Sequence, residues 1–370
     1  MCRAALPAIG LLGLVSVADA EPWSLTMESG AEADTNVERV ETVDGGGVQR
    51  IAAPAARAGA RIDHHDYLLG GSYLVRLSGL ARMVASADTR PENVMLYAGE
   101  ARWLRSLGSR PITLGIHAIA ADSFAITGGT GARTFRNLGG DALLVLGRGD
   151  DHHLTLGVGG RDFRYKPDHD FDWRGPVADA RLDILLWQTS GKTESLELAA
   201  TAAFEARSYR SMALAGCAKL PGDLCTMTTA LRRSDRYQRA SAELSWTGHI
   251  VATGGYQLTV IDSNSFGQSL IRQRITASAT MELPGKLFGT ATVTLQVDQY
   301  PDGILIEKDA QHQEFTNLED ENRSSLQIHL ARELSTAWAL EARGAVWRDF
   351  ANPDTTFRRE LIYLGVIYSR

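Results

Sequence analysis

The chain has 370 residues, with 38 Lys and Arg against 44 Asp and Glu, a formal net charge of −6 and three cysteines. That acidic balance argues against a nucleic-acid binder, which carries a basic face, and no stretch approaches the ~18 consecutive apolar residues of a membrane helix. A hydrophobic fraction of 44% suits a soluble globule and a transmembrane barrel alike, because barrel strands are half polar; residue order has to separate the two.

At the start, Arg3, an apolar run from Ala4 to Val17 and Ala18-Asp19-Ala20 match the charged, apolar and small-residue regions of a secretory signal. Residues 1–20 are therefore expected to be removed before Glu21, leaving 21–370 as one domain. Cys2 lies too early to accept a lipoprotein anchor. In an exported chain, Cys217 and Cys225 are close in sequence and in an oxidising compartment, so a local disulfide is expected.

Period-two runs bounded by turn residues predict strands at 24–32, 48–62, 67–83, 92–107, 111–122, 133–149, 152–165 and 172–189 in the first half. The second half adds 193–210, 231–247, 249–262, 266–283, 286–300, 323–335, 337–350 and 355–369. The clearest is the hairpin between Leu270 and Tyr300: Arg272, Arg274, Thr276, Ser278, Thr280 and Glu282 alternate with apolar residues, then Leu287 to Val297 alternate with Thr290, Thr292, Thr294 and Gln296 across a Pro284-Gly285 turn. Strands of this length exceed the ~5–6 residues usual in soluble sheets and match the ~9–11 residues of a tilted membrane strand.

Connection length sorts by parity. After even strands come Asp63 to Asp66, Gly108 to Arg110, Asp150-Asp151, Ser190 to Lys192, Gly248, Pro284-Gly285 and Thr336; after odd strands come 33–47, 84–91, 123–132, 166–171, 211–230, 263–265, 301–322 and 351–354. Short turns at one end and longer loops at the other are the habit of membrane barrels, and a soluble sandwich has no reason for it. The predicted fold class is all-β: a single transmembrane antiparallel up-and-down β-barrel of about 16 strands, with a range of roughly 14–18.

Trp23, Trp103, Trp187, Trp246, Trp338 and Tyr368 fall near predicted strand ends, where an interfacial girdle would lie, although a buried soluble core would also take them. Pro54 and Pro176 mark irregular places in their strands.

The polar faces supply the candidate functional residues. Those expected to line a lumen and set selectivity are Arg76, Arg102, Asp179, Arg181, Asp183, Arg207, Arg239, Glu243, Arg272, Arg274, Glu341 and Arg343. They could line a wet channel or pair into a salt-bridged plug; about sixteen strands favours the channel. Asp168, His169, Asp170 and Asp172 match no defined metal site, and Asp63-His64-His65-Asp66 and Asp150-Asp151-His152-His153 read as polar turns. The acidic stretch 301–322 reads as a solvated loop. Ser325 and His329 are about 13 Å apart along one strand, too far for a catalytic pair, and Thr127 to Gly131 opens no helix that would make a phosphate cradle. No enzyme activity, cofactor or metal is expected.

Over nearly the whole mature chain these features resemble the outer-membrane β-barrels of Gram-negative bacteria. The final strand, with Tyr363, Leu364, Val366, Ile367 and Tyr368, resembles their terminal recognition strand, although Ser369 and Arg370 follow where the family ends on an aromatic residue. Glu32-Ala33-Asp34-Thr35-Asn36-Val37 resembles a piece found after the first strand in several families, including barrels that accompany exopolysaccharide assembly. The resemblance implies an outer-membrane location with both termini periplasmic, and contact with outer-membrane lipid and lipopolysaccharide, the barrel-assembly machinery and a periplasmic polysaccharide-export or secretion complex. It implies a conduit for secreted polysaccharide first, and a general diffusion porin for small polar solutes nearly as strongly. A non-channel structural or accessory barrel and a rim-active enzyme remain the other readings.

Overall fold

A computed structural model describes residues 22–39, 42–43, 50–86, 92–108, 111–127, 133–148, 152–191, 193–216, 226–302, 323–349 and 355–370. The expected signal segment 1–20 and the expected Cys217–Cys225 disulfide lie outside the described residues, as does most of the acidic stretch 301–322.

Sixteen antiparallel strands close into one barrel in sequence order. They are β1 (Trp23–Asp34), β2 (Ala53–Leu68), β3 (Gly71–Val84), β4 (Val94–Ser106), β5 (Ile112–Ala125), β6 (Phe135–Arg148), β7 (His152–Tyr165) and β8 (Trp173–Gln188). The second half is β9 (Ser195–Gly216), β10 (Thr226–Thr247), β11 (Ile250–Ser263), β12 (Leu270–Leu283), β13 (Leu287–Gln299), β14 (Ser324–Glu333), β15 (Trp338–Arg348) and β16 (Arg358–Ser369). β16 pairs back onto β1, from Thr26 opposite Ser369 to Asp34 opposite Leu361. Thr42–Val43 and Thr355–Thr356 form a separate two-residue ribbon that ties the first and last long loops together.

Closure leaves no free strand edge, which is what a sheet in lipid requires. The alternation then has two surroundings. Ile116, Leu364, Ile362 and Val158 point outward and are 62%, 61%, 63% and 57% exposed, the apolar exterior of a barrel that sits in lipid. Residues of the other parity point into the barrel and include its polar and charged groups, with apolar residues such as Leu96, Phe135 and Leu143 among them.

At the end bearing the termini, connections run two to six residues, and at the other end they are as long or longer. Several expected boundaries move. Asp63 to Asp66 are not a turn: β2 runs on to Leu68 because Asp63 keeps the lumenal parity and binds Arg61 and Arg76. The chain reverses instead at Leu69-Gly70, both with positive φ (53° and 72°), as a two-residue hairpin with right-handed strand twist demands. β7 keeps its expected bounds, 152–165, so His152 and His153 belong to the strand and not to a polar turn.

The expected loop 211–230 is half strand. β9 reaches Gly216 and β10 starts at Thr226, with register shifts between Ser208 and Leu214. Each strand of this hairpin has 22 residues, about twice the length needed to cross a bilayer, so the strand ends at Gly216 and Thr226 stand clear of the membrane. The hairpin leans on the connection after β11, where Phe266 donates its N–H to Leu214 O at 2.9 Å. Conversely, β12 begins at Leu270, four residues later than expected.

Pro176 behaves as its missing N–H dictates: Gly175 and Pro176 have no partner in the β8–β9 register, which passes from Val177 directly to Arg174. Gly175 is held there because a Cβ would lie 1.6 Å from Ala206 O. Pro54, in contrast, pairs regularly with Ala33 near the start of β2.

The packed apolar clusters lie at the long-loop end. Phe171 from a connecting turn joins Val94, Phe135, Phe163 and Tyr165, while Phe357 joins Trp347, Leu361 and Tyr363.

Candidate functional site: the charged lumen wall

Every expected lining residue falls on the inward parity of its strand. The strand pairings then bring them into rows that sequence order alone hides. Across β2 to β7, Asp63, Arg76, Glu100, His117, Asp141 and Arg161 alternate in sign from strand to strand. Arg76 bonds Asp63 at 2.7 Å and Glu100 at 3.3 Å, His117 Nδ1 meets Asp141 at 3.1 Å, and Arg161 meets Asp141 at 2.8 Å. Arg161 lies flat over Gly139, where a Cβ would be 2.4 Å from its Cδ. Arg102 shares the inward face of β4 with Glu100 and lies opposite His117.

On β8, Arg181 and Asp183 pair at 2.7 Å, and Asp179 is buried above Gly157. On β9, Arg207 holds Glu205 at 2.8 Å, with its guanidinium 3.5 Å from the Tyr237 ring centroid and 4.1 Å from that of Trp173. Arg233 repeats the pattern one strand away with Asp235 at 2.5 Å and Tyr209 at 4.0 Å. Flat guanidinium groups suit this use, since they donate in plane and stack on rings face-on. Arg239 and Glu243 face inward on β10, opposite Ala203 and Ala199.

β12 and β13 carry a plainer wall. Arg272 is bidentate to Asp298 at 2.9 Å, whereas Arg274 is bonded to the neutral Gln296 at 2.8 and 3.1 Å. Below them hydroxyls pair across strands: Thr280 with Thr290 at 2.9 Å and Thr253 with Ser278 at 2.7 Å.

The seam carries two more networks. Arg343 bonds Glu341 on its own strand and reaches Glu28 at 2.7 Å, and Glu28 also takes Arg57 at 2.9 Å. Arg359 and Arg82 share Asp34 at 2.7 and 2.6 Å, and Arg82 also binds Glu32. The segment Glu32 to Val37 therefore serves to hold the seam. Asp34 accepts from Asn36 N, and Asn36 Nδ2 and Thr35 Oγ1 reach the backbone of β16.

Sequence reasoning missed Glu28, Asp34, Arg57, Arg161, Arg233 and Arg359 as lumen groups. The signal was available in the first strand, where Glu28, Glu32 and Asp34 share even parity. For the arginines, only the pairing shows which ring or carboxylate each one meets. A cavity of about 810 Å³ lies in the wall, lined by Gly139, Gly160, Arg161, Gly175 and Ser208 among others.

The aromatic residues at strand ends take the girdle position. Trp23, Trp103, Trp246, Trp338 and Tyr368 are all outward and all at the short-turn end. Trp187 joins them only because an extra residue in β8 shifts the register between Leu196 and Glu197; it then stacks on Trp246 at 5.5 Å and 10°. A closed sixteen-strand barrel with an apolar exterior, an aromatic girdle and a charged interior is a transmembrane β-barrel of the outer-membrane class.

No protein-family model matches the chain, and no curated protein is recognisably similar to it in sequence. Similar solved structures are outer-membrane barrels. A loop-deletion mutant of OmpT, an outer-membrane protein of Vibrio cholerae, is 10% identical with a TM-score of 0.42, covering 95% of this chain and 100% of that one. OccK8 (OprE) of Pseudomonas aeruginosa is 11% identical with a TM-score of 0.45, covering 94% and 97%. OmpF of Salmonella typhi, in complex with daunomycin, is 8% identical with a TM-score of 0.48, covering 94% and 97%. At such values the likeness adds nothing to the strand pairing described above.

Proposed function

We propose that the barrel is a passive passage across the bacterial outer membrane for small polar solutes, with its short turns and both termini in the periplasm. One observation carries this reading. Among the described residues, the ion pairs of the strands join groups on the same strand, on adjacent strands or on strands one apart; none crosses the lumen. Charges satisfied along the wall leave the middle to water, whereas a plug would need partners reaching across.

The conduit for secreted polysaccharide is the weaker form of the same proposal. The Glu32 to Val37 segment that suggested it is occupied in pinning Arg82, Arg359 and β16. The inward rings that would stack on sugars, including Trp173, Tyr237, Tyr209 and Trp347, carry guanidinium groups instead. Transport rather than catalysis is the role this wall suits.

The test is single-channel recording from the refolded mature chain in a planar bilayer. Large steady steps are expected. Silence from a folded barrel, both as the full chain and with 217–225 shortened, would overturn the passage; silence relieved by that shortening would instead favour a gated conduit.

A further inference from the structure

The outward face of β6 to β10 changes character at its long-loop end. Arg136, Arg164, Arg174, Arg210, Arg232 and Arg236 all point away from the lumen and are exposed, beside Asp122, Asp162 and Asp262 on the strands of the same face and Asp172 of the connecting turn, which takes Arg210 at 3.3 Å. On the strands of the rest of this rim, the outward cations among the described residues are Arg348 and Arg358, and Arg358 is held by Glu360.

Two features separate this band from an ordinary solvated edge. First, Arg136 lies directly opposite Arg164 across the β6–β7 ladder, an arrangement of like charges that is unfavourable without an anion between them. Arg164 has Asp162 at 3.1 Å, but Asp122, the acid opposite Arg136, is taken by Lys166. Second, Arg136, Arg174 and Arg232 have no ion-pair partner among the described residues, while the lumenal arginines Arg57, Arg161, Arg272 and Arg359 each hold a carboxylate.

The height of the band fixes what it meets. From Arg174 to Trp187 on β8, and from Arg236 to Trp246 on β10, the outward residues between are uncharged and largely apolar. Thirteen and ten positions at ~3.3 Å and ~40° tilt span about 25–33 Å of membrane normal, the thickness of the hydrocarbon core. With the tryptophan girdle at one boundary, the guanidinium groups stand at the other, among lipid headgroups. Four strand spacings give the band a width of about 19 Å, more than one phosphate can engage.

We propose that this band is a binding site for a lipid of the lipopolysaccharide class, whose saccharide headgroup carries more than one phosphate. Arginine is the residue suited to it, since the guanidinium fork binds phosphate oxygens bidentately. The inference rests on the orientation proposed above, with the long-loop end outside.

Binding of lipid A to the refolded mature protein in detergent, read by native mass spectrometry, tests it. Bisphosphorylated lipid A should bind about tenfold or more tightly than its dephosphorylated form and than phosphatidylglycerol. The triple variant Arg136→Gln, Arg164→Gln, Arg174→Gln should lose that preference, and Arg348→Gln with Arg358→Gln should keep it. Wild-type behaviour in the triple variant, or equal binding of the three lipids, overturns the site. Conductance of the same proteins separates the two proposals: a silent wild type that still discriminates lipids sinks the passage alone, and a conducting one that does not sinks the lipid site alone.

Discussion

Arg343 on β15 passes over β16 to bond Glu28 on β1 at 2.7 Å, so an ion pair straddles the line where the barrel closes. Glu341, whose side chain is fully buried, depends on the same guanidinium, with His329 as its other neighbour. Arg343→Leu should therefore lower the unfolding free energy in urea by about 2–3 kcal/mol, somewhat below the loss for a fully buried pair because Arg343 is 14% exposed. Adding Glu341→Gln should recover part of it. A single variant as stable as wild type would mean the seam is held by backbone pairing alone.

Tyr363 lies beside the same seam over two glycines. A Cβ at Gly365 would be 2.2 Å from Tyr363 Oη and 2.8 Å from Ser29 O, and one at Gly30 would be 2.2 Å from Leu364 O. Gly365→Ala should thus destabilise by about 1–3 kcal/mol through overpacking. Tyr363→Phe should change stability by less than about 0.5 kcal/mol, since the buried hydroxyl has no hydrogen-bond partner among the described residues. Urea melts of both variants distinguish a ring that packs from a hydroxyl that bonds.

The strand count and order were legible because lipid and lumen impose period two on nearly every strand, as at Arg272 to Glu282. Places where polarity and turn chemistry diverge were not. Asp63-His64-His65-Asp66 has the composition of a turn, but Asp63 and His64 continue the alternation, one facing Arg76 and the other packed between Trp23 and Tyr73 outside. The extra residue before Trp187 leaves no mark in the sequence. The lining residues could be read from parity, but whether a charge is cancelled is a property of pairing: Arg272 and Arg274 look equivalent in sequence, and only one has a carboxylate directly opposite.

That difference should be measurable. Removing the Arg272–Asp298 pair together, as Arg272→Gln with Asp298→Asn, leaves the lumen charge unchanged and should leave ion selectivity near wild type. Arg274→Gln removes one lumenal charge, beside Gln296, and should shift the permeability ratio toward cations by about twofold. Reversal potentials in a KCl gradient give both values. Equal shifts would show that this stretch of wall does not face the ion path.

Thr292 and Val293 are neighbours on β13 with opposite surroundings. Thr292 faces Ser278 and Gln327 across the ladders on the lumen side, whereas Val293 is outward and 41% exposed. In a background with Cys217 and Cys225 changed to Ser, Thr292→Cys should react with a charged, water-soluble thiol reagent and lose about 10–30% of its conductance. Val293→Cys, buried in lipid, should resist the same reagent and react with a membrane-soluble maleimide. Thr292→Cys that stays unmodified in a conducting barrel would place the water path elsewhere than along the β12–β14 wall, and reaction at both positions would mean that lipid does not cover the outward face.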